Sequence, residues 1–174
     1  EFSAFSKAIT MATRRNRLVD ALYRLFYRAA YGMCLVFGFV FRPRSRAACV
    51  AVWQADRLLL IRQSYTRKLT LPGGLVRRGE TPRTAALREL GEEVGLHPAA
   101  RRLAAVLSLA THHNFKRETV HYFDIHYGRR PHVQIDRREV VSALFRTVQG
   151  LSPSSCAPQL RAYLVERGYA RFKV

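Results

Sequence analysis

The sequence has few acidic residues and few cysteines, and each shortage excludes a class of protein. Only 12 Asp and Glu oppose 30 Lys and Arg, which gives a formal net charge of +18. A field of that sign attracts polyanions such as nucleotides, nucleic acid and acidic lipid, although the arginines are spread along the chain and form no basic tail. Three scattered cysteines exclude a disulfide framework and a cysteine-ligated zinc site, and they favour a cytoplasmic compartment.

The sequence also lacks an apolar run long enough to cross a bilayer. The longest, residues 29–41, has 13 residues, whereas a spanning helix needs about 20. It ends a basic stretch, residues 14–41, in which apolar residues recur at helical spacing. Three interpretations remain: a helix docked on the domain or on a second copy, a helix in the plane of a membrane surface, and a secretion or anchor signal. We favour the docked helix and expect it to bury the face formed by Leu22, Leu25, Phe26 and Met33.

The domain organisation follows from length and composition. Residues 1–10 begin with Glu-Phe and precede Met11, so we expect a vector-derived tag outside the fold. We expect residues 11–42 to form the basic amphipathic helix and residues 43–174 to form one domain. The 174 residues and 48% hydrophobic content suffice for one sizeable core.

From residue 47 onward the pattern indicates strands and helices in irregular alternation. The predicted strands are 47–53, 58–62, 75–76, 106–110, 119–127 and 143–148. Thr81 and Pro82 predict the start of a helix, and Gly95 predicts its end. A last helix is predicted over residues 157–167. A mixed sheet between helices follows.

Residues 74–96 carry the motif that predicts the chemistry. Its fixed positions are Gly74, Glu80, Arg88-Glu89-Leu90, Glu92-Glu93 and Gly95-Leu96. Glu89, Glu92 and Glu93 stand at i, i+3 and i+4, so a helix brings their carboxylates onto one side. Like charges on one face repel unless a cation lies among them, and carboxylate oxygens are ligands that Mg²⁺ prefers. Because such a cation binds phosphate with its open positions, the motif predicts a metal–phosphate site.

This motif, opened by Leu71-Pro72-Gly73-Gly74, resembles the signature of the Nudix hydrolases at every defining position. The resemblance is strong over residues 47–150 and absent before residue 42. It implies an α+β fold, the α/β/α Nudix sandwich with a mixed sheet, extended here by an N-terminal helix. It also implies an enzyme that hydrolyses a diphosphate linkage in a nucleoside diphosphate derivative with Mg²⁺ or Mn²⁺.

The resemblance further implies roles for individual residues. The expected metal ligands are Glu92, Glu93 and the backbone carbonyl of Gly73. Glu89 is expected to bind a second metal or to orient the attacking water. Arg88 and Glu80 are expected to hold the carboxylates in place. Gly74 and Gly95 are expected to be structural.

An acid outside the motif often acts as base or ligand in this family, at a position that varies. The candidates are Glu118, Asp124, Asp136 and Glu139, of which we expect Glu139 because it precedes the apolar run 140–145. We call Leu71-Pro72-Gly73-Gly74 the glycine loop. Upstream of it, Arg62, Arg67 and Lys68 are expected to contact substrate phosphates.

The sequence leaves the substrate open, because the marks of the family's substrate subclasses are missing. Leu69 stands where an aromatic residue is common, so the candidates for stacking on a base are Trp53, Tyr65, Phe115 and Tyr122. Two other classes stand beside the enzyme: a nucleotide-sensing module, against which the intact glutamates argue, and a binding module for RNA or an anionic membrane. A homodimer and peripheral attachment to a membrane through the N-terminal helix remain open as well.

Overall fold

The computed structural model describes residues 19–36, 44–113, 116–135 and 137–173. The helices are α1 (19–36), α2 (Pro82–Val94) and α3 (Pro158–Glu166). The strands are β1 (Arg44–Gln54), β2 (Arg57–Gln63), β3 (Leu69–Thr70), β4 (Gly73–Leu75), β5 (Ala104–His113), β6 (Lys116–Tyr127) and β7 (Val140–Thr147). Every predicted strand and helix is present. The strands extend beyond the predicted bounds except at β4, at the end of β6, which coincides with its prediction, and at the end of β7.

The strands form one mixed sheet. Its main order is β3-β2-β1-β6-β5, with β4 paired to β1 and β7 paired to β2. The β1–β6 pair is parallel over the full length of β1, from Arg44 opposite Arg117 to Gln54 opposite Tyr127. The other pairs are antiparallel. A parallel strand at the centre of a sheet is covered on both faces, and the continuous apolar run 47–53 of β1 is buried accordingly.

The two faces of β1 bury two separate hydrophobic cores. Ala47, Cys49, Ala51 and Trp53 share one core with Leu160, Tyr163 and Leu164 of α3. Ala48, Val50 and Val52 share the other with Ala85, Ala86, Leu90 and Val94 of α2. This alternation follows from the two-residue period of a strand. The sheet therefore lies between α2 and α3, which confirms the predicted α/β/α sandwich.

Helix α2 begins and ends where the sequence predicted. The Thr81 side chain accepts a hydrogen bond from the Thr84 backbone N–H at 3.1 Å, and Pro82 occupies the first turn. Gly95 ends the helix with a φ of 68°, in the left-handed region that favours glycine. Because both ends are fixed, the register of the glutamates on α2 is fixed as well.

Helix α1 docks on the domain through its arginines. The Arg24 guanidinium donates to the Arg137 carbonyl oxygen at 3.1 and 2.9 Å, and Arg28 Nε donates to the Ser64 carbonyl oxygen at 3.2 Å. These contacts join the helix to the β2–β3 loop and to the segment before β7. The helical periodicity of the N-terminal stretch is thus confirmed for residues 19–36.

The prediction of which face of α1 would be buried is wrong for packing on the chain's own domain. Four residues expected to be buried are between 63% and 70% exposed, namely Leu22, Leu25, Phe26 and Met33. At 3.6 residues per turn they centre on the side of the helix away from Arg24, which binds the domain. Polar contacts of Arg24, Arg28 and Asp20, together with the stacking of Tyr31 on Tyr65, attach α1 to the domain. Within the described residues no helix combines the length and hydropathy needed to cross a membrane.

Candidate active site

Two glycines allow the loop around β4 to approach its neighbours closely. Gly73 pairs with Cys49 and Gly74 with Ala48 of β1. A Cβ on Gly73 would lie 2.3 Å from the Ala48 carbonyl oxygen, and its φ of 153° is one that residues with side chains rarely adopt. A Cβ on Gly74 would lie 2.4 Å from Glu89 Oε1. The glycine pair therefore lets the loop touch both β1 and the carboxylates of α2.

The Arg88 guanidinium joins three glutamates of the motif. Its Nε and Nη2 donate to the two oxygens of Glu80, each at 3.1 Å. Its Nη1 donates to Glu89 Oε1 at 2.6 Å and to Glu92 Oε2 at 2.9 Å, and Nη2 also donates to the Leu75 carbonyl oxygen at 3.1 Å. The hydrogen bonds with Arg88 lower the pKa of Glu80, and those with Glu80 raise the pKa of Arg88. Arg88 thus ties α2 to the loop that follows β4.

Glu93 is a buried carboxylate held at both oxygens. It is 4% exposed; Oε2 accepts from the Gly73 backbone N–H at 2.8 Å, and Oε1 accepts from Gln63 Nε2 at 3.1 Å. Burial raises the pKa of Glu93 well above its ordinary value, the negative charges of Glu89 and Glu139 add to this, and the two hydrogen bonds oppose it. A cation at this carboxylate would offset the cost of its desolvation.

The other two carboxylates lie nearer to solvent. Burial raises the pKa of Glu89 against the opposing effect of Arg88. The Glu92 side chain is 51% exposed, and its Oε1 lies 3.6 Å from Arg77 Nη2. Among the residues that the structure describes, no three acidic, histidine or cysteine side chains converge closely enough to ligate one cation as they stand. The oxygen donors nevertheless fit a hard divalent cation, and Glu92 would have to release Arg77 and Arg88 to join them.

Glu139 lies near the motif carboxylates. Its backbone carbonyl accepts a hydrogen bond from the Ser64 N–H at 2.7 Å, and its charge contributes to the raised pKa of Glu93. Asp136, another candidate acid, lies outside the described residues.

The two candidate acids on β6 have different surroundings. Glu118 accepts a hydrogen bond from Ser45 Oγ at 3.1 Å and lines a cleft beside the glycine loop. Asp124 is 4% exposed; it accepts a hydrogen bond from the Tyr163 hydroxyl at 2.8 Å and pairs with Arg167 Nη2 at 3.3 Å. Asp124 therefore belongs to the packing of α3 against the sheet.

The cleft has a volume of about 470 Å³. Its lining includes Tyr31 and Cys34 of α1, Gln63, Tyr65, Lys68 and Gly73. Gln63 and Gly73 line the cleft and both bind Glu93, so Glu93 lies directly behind the wall of the cleft. Of the three basic residues expected to meet phosphates, Lys68 lines the cleft, whereas Arg62 and Arg67 are exposed and do not.

The candidate aromatic residues also differ in their surroundings. Tyr65 lines the cleft, whereas Trp53 and Tyr122 are buried in the core against α3; Phe115 lies outside the described residues. Sequence reasoning missed Tyr31 and Gln63, because neither stands in the motif and only the tertiary fold brings them to it. A second cavity of about 610 Å³ lies at the β1–β2 turn beside the end of α3 and is lined by no residue of the motif.

Comparisons with known proteins agree with this geometry. The sequence model of the NUDIX domain matches residues 43–162. An RNA pyrophosphohydrolase from Roseobacter denitrificans is 36% identical over 88 residues, which are 49% of this chain and 45% of that protein. A Bacillus subtilis protein provisionally named as an ADP-ribose pyrophosphatase is 32% identical over 75 residues, 43% of this chain and 36% of its own length. The chain thus spans less than half the length of these curated relatives.

Solved structures share the fold at low sequence identity. A bifunctional NMN adenylyltransferase/ADP ribose pyrophosphatase from Francisella tularensis superposes with a TM-score of 0.64 at 15% identity, covering 84% of this chain and 46% of that one. A MutT protein from Methanosarcina mazei Go1 superposes with a TM-score of 0.58 at 20% identity, covering 77% and 99%. At these identities the likeness concerns the fold alone.

Proposed function

The chain belongs to the Nudix family, and on that premise we propose that it hydrolyses a diphosphate linkage in a nucleoside diphosphate derivative, with Mg²⁺ or Mn²⁺ bound. The observation that carries the proposal is Glu93, a buried carboxylate held by the glycine loop beside an open cleft. The names of the two curated relatives describe cleavage of a pyrophosphate linkage in RNA and in ADP-ribose. They support the class of linkage and leave the organic part of the substrate open.

We assign the cation to Glu92, Glu93 and the backbone carbonyl of Gly73, and we assign to Glu89 a second cation or the attacking water. When bound, a divalent cation neutralises phosphate charge and increases the acidity of a coordinated water. Burial of Glu93 favours cation binding, because a bound cation stabilises a desolvated carboxylate more than it stabilises an exposed one.

The remaining residues position these groups and the substrate. Arg88 and Glu80 hold the carboxylates of α2 through their paired hydrogen bonds. We assign to Glu139 the proton of the attacking water, because the next residue, Val140, pairs with Gln63, whose side chain binds Glu93. Lys68 binds a phosphate inside the cleft, and Arg62 and Arg67 attract the anionic substrate from the surrounding surface.

A Mg²⁺- or Mn²⁺-dependent screen of nucleoside diphosphate derivatives tests the proposal. We expect release of a nucleoside monophosphate or of inorganic phosphate, loss of the activity with a chelator, and loss with Glu93→Gln. Saturable binding of a nucleotide without hydrolysis would instead identify a nucleotide-sensing module. Neither binding nor hydrolysis across the screen would refute both functions.

The exposed apolar face of α1 favours a second role, attachment to an anionic lipid surface. This face consists of Leu22, Leu25, Phe26, Met33 and Val36, each at least 63% exposed. An apolar helix face on a protein with a net charge of +18 has the features of an interfacial helix that binds acidic lipid. This association is compatible with catalysis, because Arg24 holds the opposite side of the helix on the domain.

Vesicle sedimentation tests the attachment. We expect binding to vesicles that contain phosphatidylglycerol, weaker binding to neutral phosphatidylcholine vesicles, and weakening by salt and by Phe26→Glu. No binding to either vesicle would refute this role. If the molar mass rose with protein concentration and Phe26→Glu abolished that rise, a second copy of the chain would be the partner of this face.

A further inference from the structure

The cleft beside the glycine loop is built from two parts of the chain that are distant in sequence. Tyr31 and Cys34 come from α1, and Gln63, Tyr65 and Lys68 come from the end of β2 and the loop after it. The NUDIX domain match begins at residue 43, so α1 lies outside the matched region. A segment outside the family domain therefore supplies part of the wall of this cleft.

The contact between the two parts is an aromatic stack. The ring centroids of Tyr31 and Tyr65 lie 4.8 Å apart, with an angle of 22° between the ring planes. Both rings are partly exposed and both line the cleft. Stacked tyrosines present a broad apolar surface of low flexibility, which suits contact with another flat ring.

Polar contacts fix the position of this stack relative to the motif. Arg28 of α1 donates to the carbonyl oxygen of Ser64, the residue before Tyr65, and the Ser64 N–H donates to the Glu139 carbonyl oxygen. At the other end of the helix, Asp20 pairs with Arg138 at 3.1 Å. The helix is thus attached both to the loop that carries Tyr65 and to the segment that leads into β7.

The stack also lies close to the carboxylate that we assign to the cation. Gln63 lines the cleft two residues before Tyr65, and its side chain donates to Glu93 Oε1 at 3.1 Å. A cleft of about 470 Å³ is within the usual range for sites that bind small molecules. Lys68 and the two tyrosines line the same cleft, so a ligand whose phosphates met Lys68 and a cation held by Glu93 would have room for its organic part beside the tyrosines.

We propose that α1 forms part of the substrate-binding cleft and that the Tyr31–Tyr65 stack binds the base of a nucleoside diphosphate derivative. This inference rests on the proposed function for the identity of the ligand. Tyr31 acts here as a specificity residue and takes no part in the chemistry. Its removal should raise KM and leave kcat nearly unchanged, because it contacts the base and not the reacting phosphate.

The test compares Tyr31→Ala with Tyr31→Phe, which keeps the ring, and with Val19→Ala, which changes an exposed apolar residue at the start of α1. For Tyr31→Ala we expect KM for the best nucleoside substrate, and Kd for its methylene-diphosphate analogue, to rise by about 5- to 150-fold. The two other variants should remain within about twofold of the unmodified protein in both constants. Unchanged constants in Tyr31→Ala, or an equal rise in Val19→Ala, would overturn the inference.

A measurement on the unmodified protein covers the case in which Tyr31→Ala fails to fold. Cys34 lines the cleft and is exposed, whereas Cys49 and Cys156 are buried. The bound analogue should slow the alkylation of Cys34 by iodoacetamide, while a base-free diphosphate should slow it less. An alkylation rate that the analogue does not change would overturn the inference.

The outcomes also separate this inference from the proposed function. Hydrolysis with unchanged affinity in Tyr31→Ala would refute the stack alone. A second outcome is that the unmodified protein binds the analogue without hydrolysing any substrate. If that binding protects Cys34 and is weakened by Tyr31→Ala, the catalytic proposal alone is refuted. Absence of both hydrolysis and binding would refute both.

Discussion

Gly74 lies directly against the carboxylate of Glu89, so that a Cβ at position 74 would stand 2.4 Å from Glu89 Oε1. The adjacent Gly73 faces backbone instead, because its Cβ would stand 2.3 Å from the Ala48 carbonyl oxygen. One neighbour is the end of a side chain that can move, and the other is a strand that cannot move without disturbing the sheet. A side chain would therefore have different effects at the two positions: at Gly74 it would displace Glu89, and at Gly73 it would clash with β1.

Gly74→Ala should impair activity and Gly73→Ala should impair stability. Gly74→Ala displaces the Glu89 carboxylate, so we expect kcat to fall by about 10- to 100-fold with a loss of unfolding free energy of about 1 kcal/mol or less. Gly73→Ala adds strain of about 1–3 kcal/mol at its φ alone, before the clash with β1. Urea unfolding and steady-state kinetics on both variants would check this. Equal losses of stability in the two variants would contradict the assigned difference.

Glu93→Gln should abolish most of the activity without unfolding the protein. The amide keeps the shape of the side chain but removes the charge that a cation requires, so kcat should fall by about 100-fold or more. Without added cation the melting temperature should stay the same or rise, since the substitution removes the cost of a buried charge and Gln63 can turn its amide so that its oxygen accepts from the new NH2 group. Glu166→Gln, an exposed change on α3, is the matched control. Wild-type turnover in Glu93→Gln would refute the assignment.

Divalent cations should stabilise the unmodified protein. At a free Mg²⁺ or Mn²⁺ concentration about 100 times Kd, the gain is about 2.7 kcal/mol, which corresponds to about 5–10 °C in melting temperature for a chain of this size. Thermal melting with and without the cation measures the shift, and a chelator should reverse it. Glu93→Gln should show little or none of the shift. An unmodified protein whose melting temperature did not respond to either cation would count against the site.

The parts of the fold that follow from local chemistry were predictable from the sequence. Thr81, Pro82 and Gly95 determine the ends of α2 through backbone geometry that needs no distant partner. The alternation along β1 likewise follows from which residues are apolar, and the motif places three glutamates on one helix. Each of these features depends on residues close together in sequence.

The parts that depend on distant partners were not predictable in the same way. The apolar spacing of α1 predicts a helix. It does not predict that Arg24 and Arg28 donate hydrogen bonds to the carbonyl oxygens of Arg137 and Ser64. Those hydrogen bonds turn the apolar face outward. Tyr31 reaches the cleft only through this docking, since 33 intervening residues separate it from Tyr65 in the sequence.

Asp124→Asn should destabilise the protein, whereas Glu139→Gln should lower kcat, although both substitutions remove one negative charge. Asp124 accepts a hydrogen bond from Tyr163 and pairs with Arg167, and Tyr163 in turn accepts from Trp53 Nε1 at 3.1 Å. Weakening this buried network should cost about 1–3 kcal/mol of unfolding free energy and leave kcat per folded molecule unchanged.

Glu139→Gln removes the proton acceptor that we assign, so kcat should fall by about 100-fold or more with little change in the melting temperature. Glu118→Gln, which changes an acidic residue that lines the cleft, is the comparison that distinguishes a proton acceptor from a nearby negative charge. If Glu118→Gln lost the activity and Glu139→Gln kept it, the proton would pass to Glu118 instead. A fall in kcat for Asp124→Asn at unchanged stability would contradict the structural role of Asp124 and show that it contributes to the chemistry.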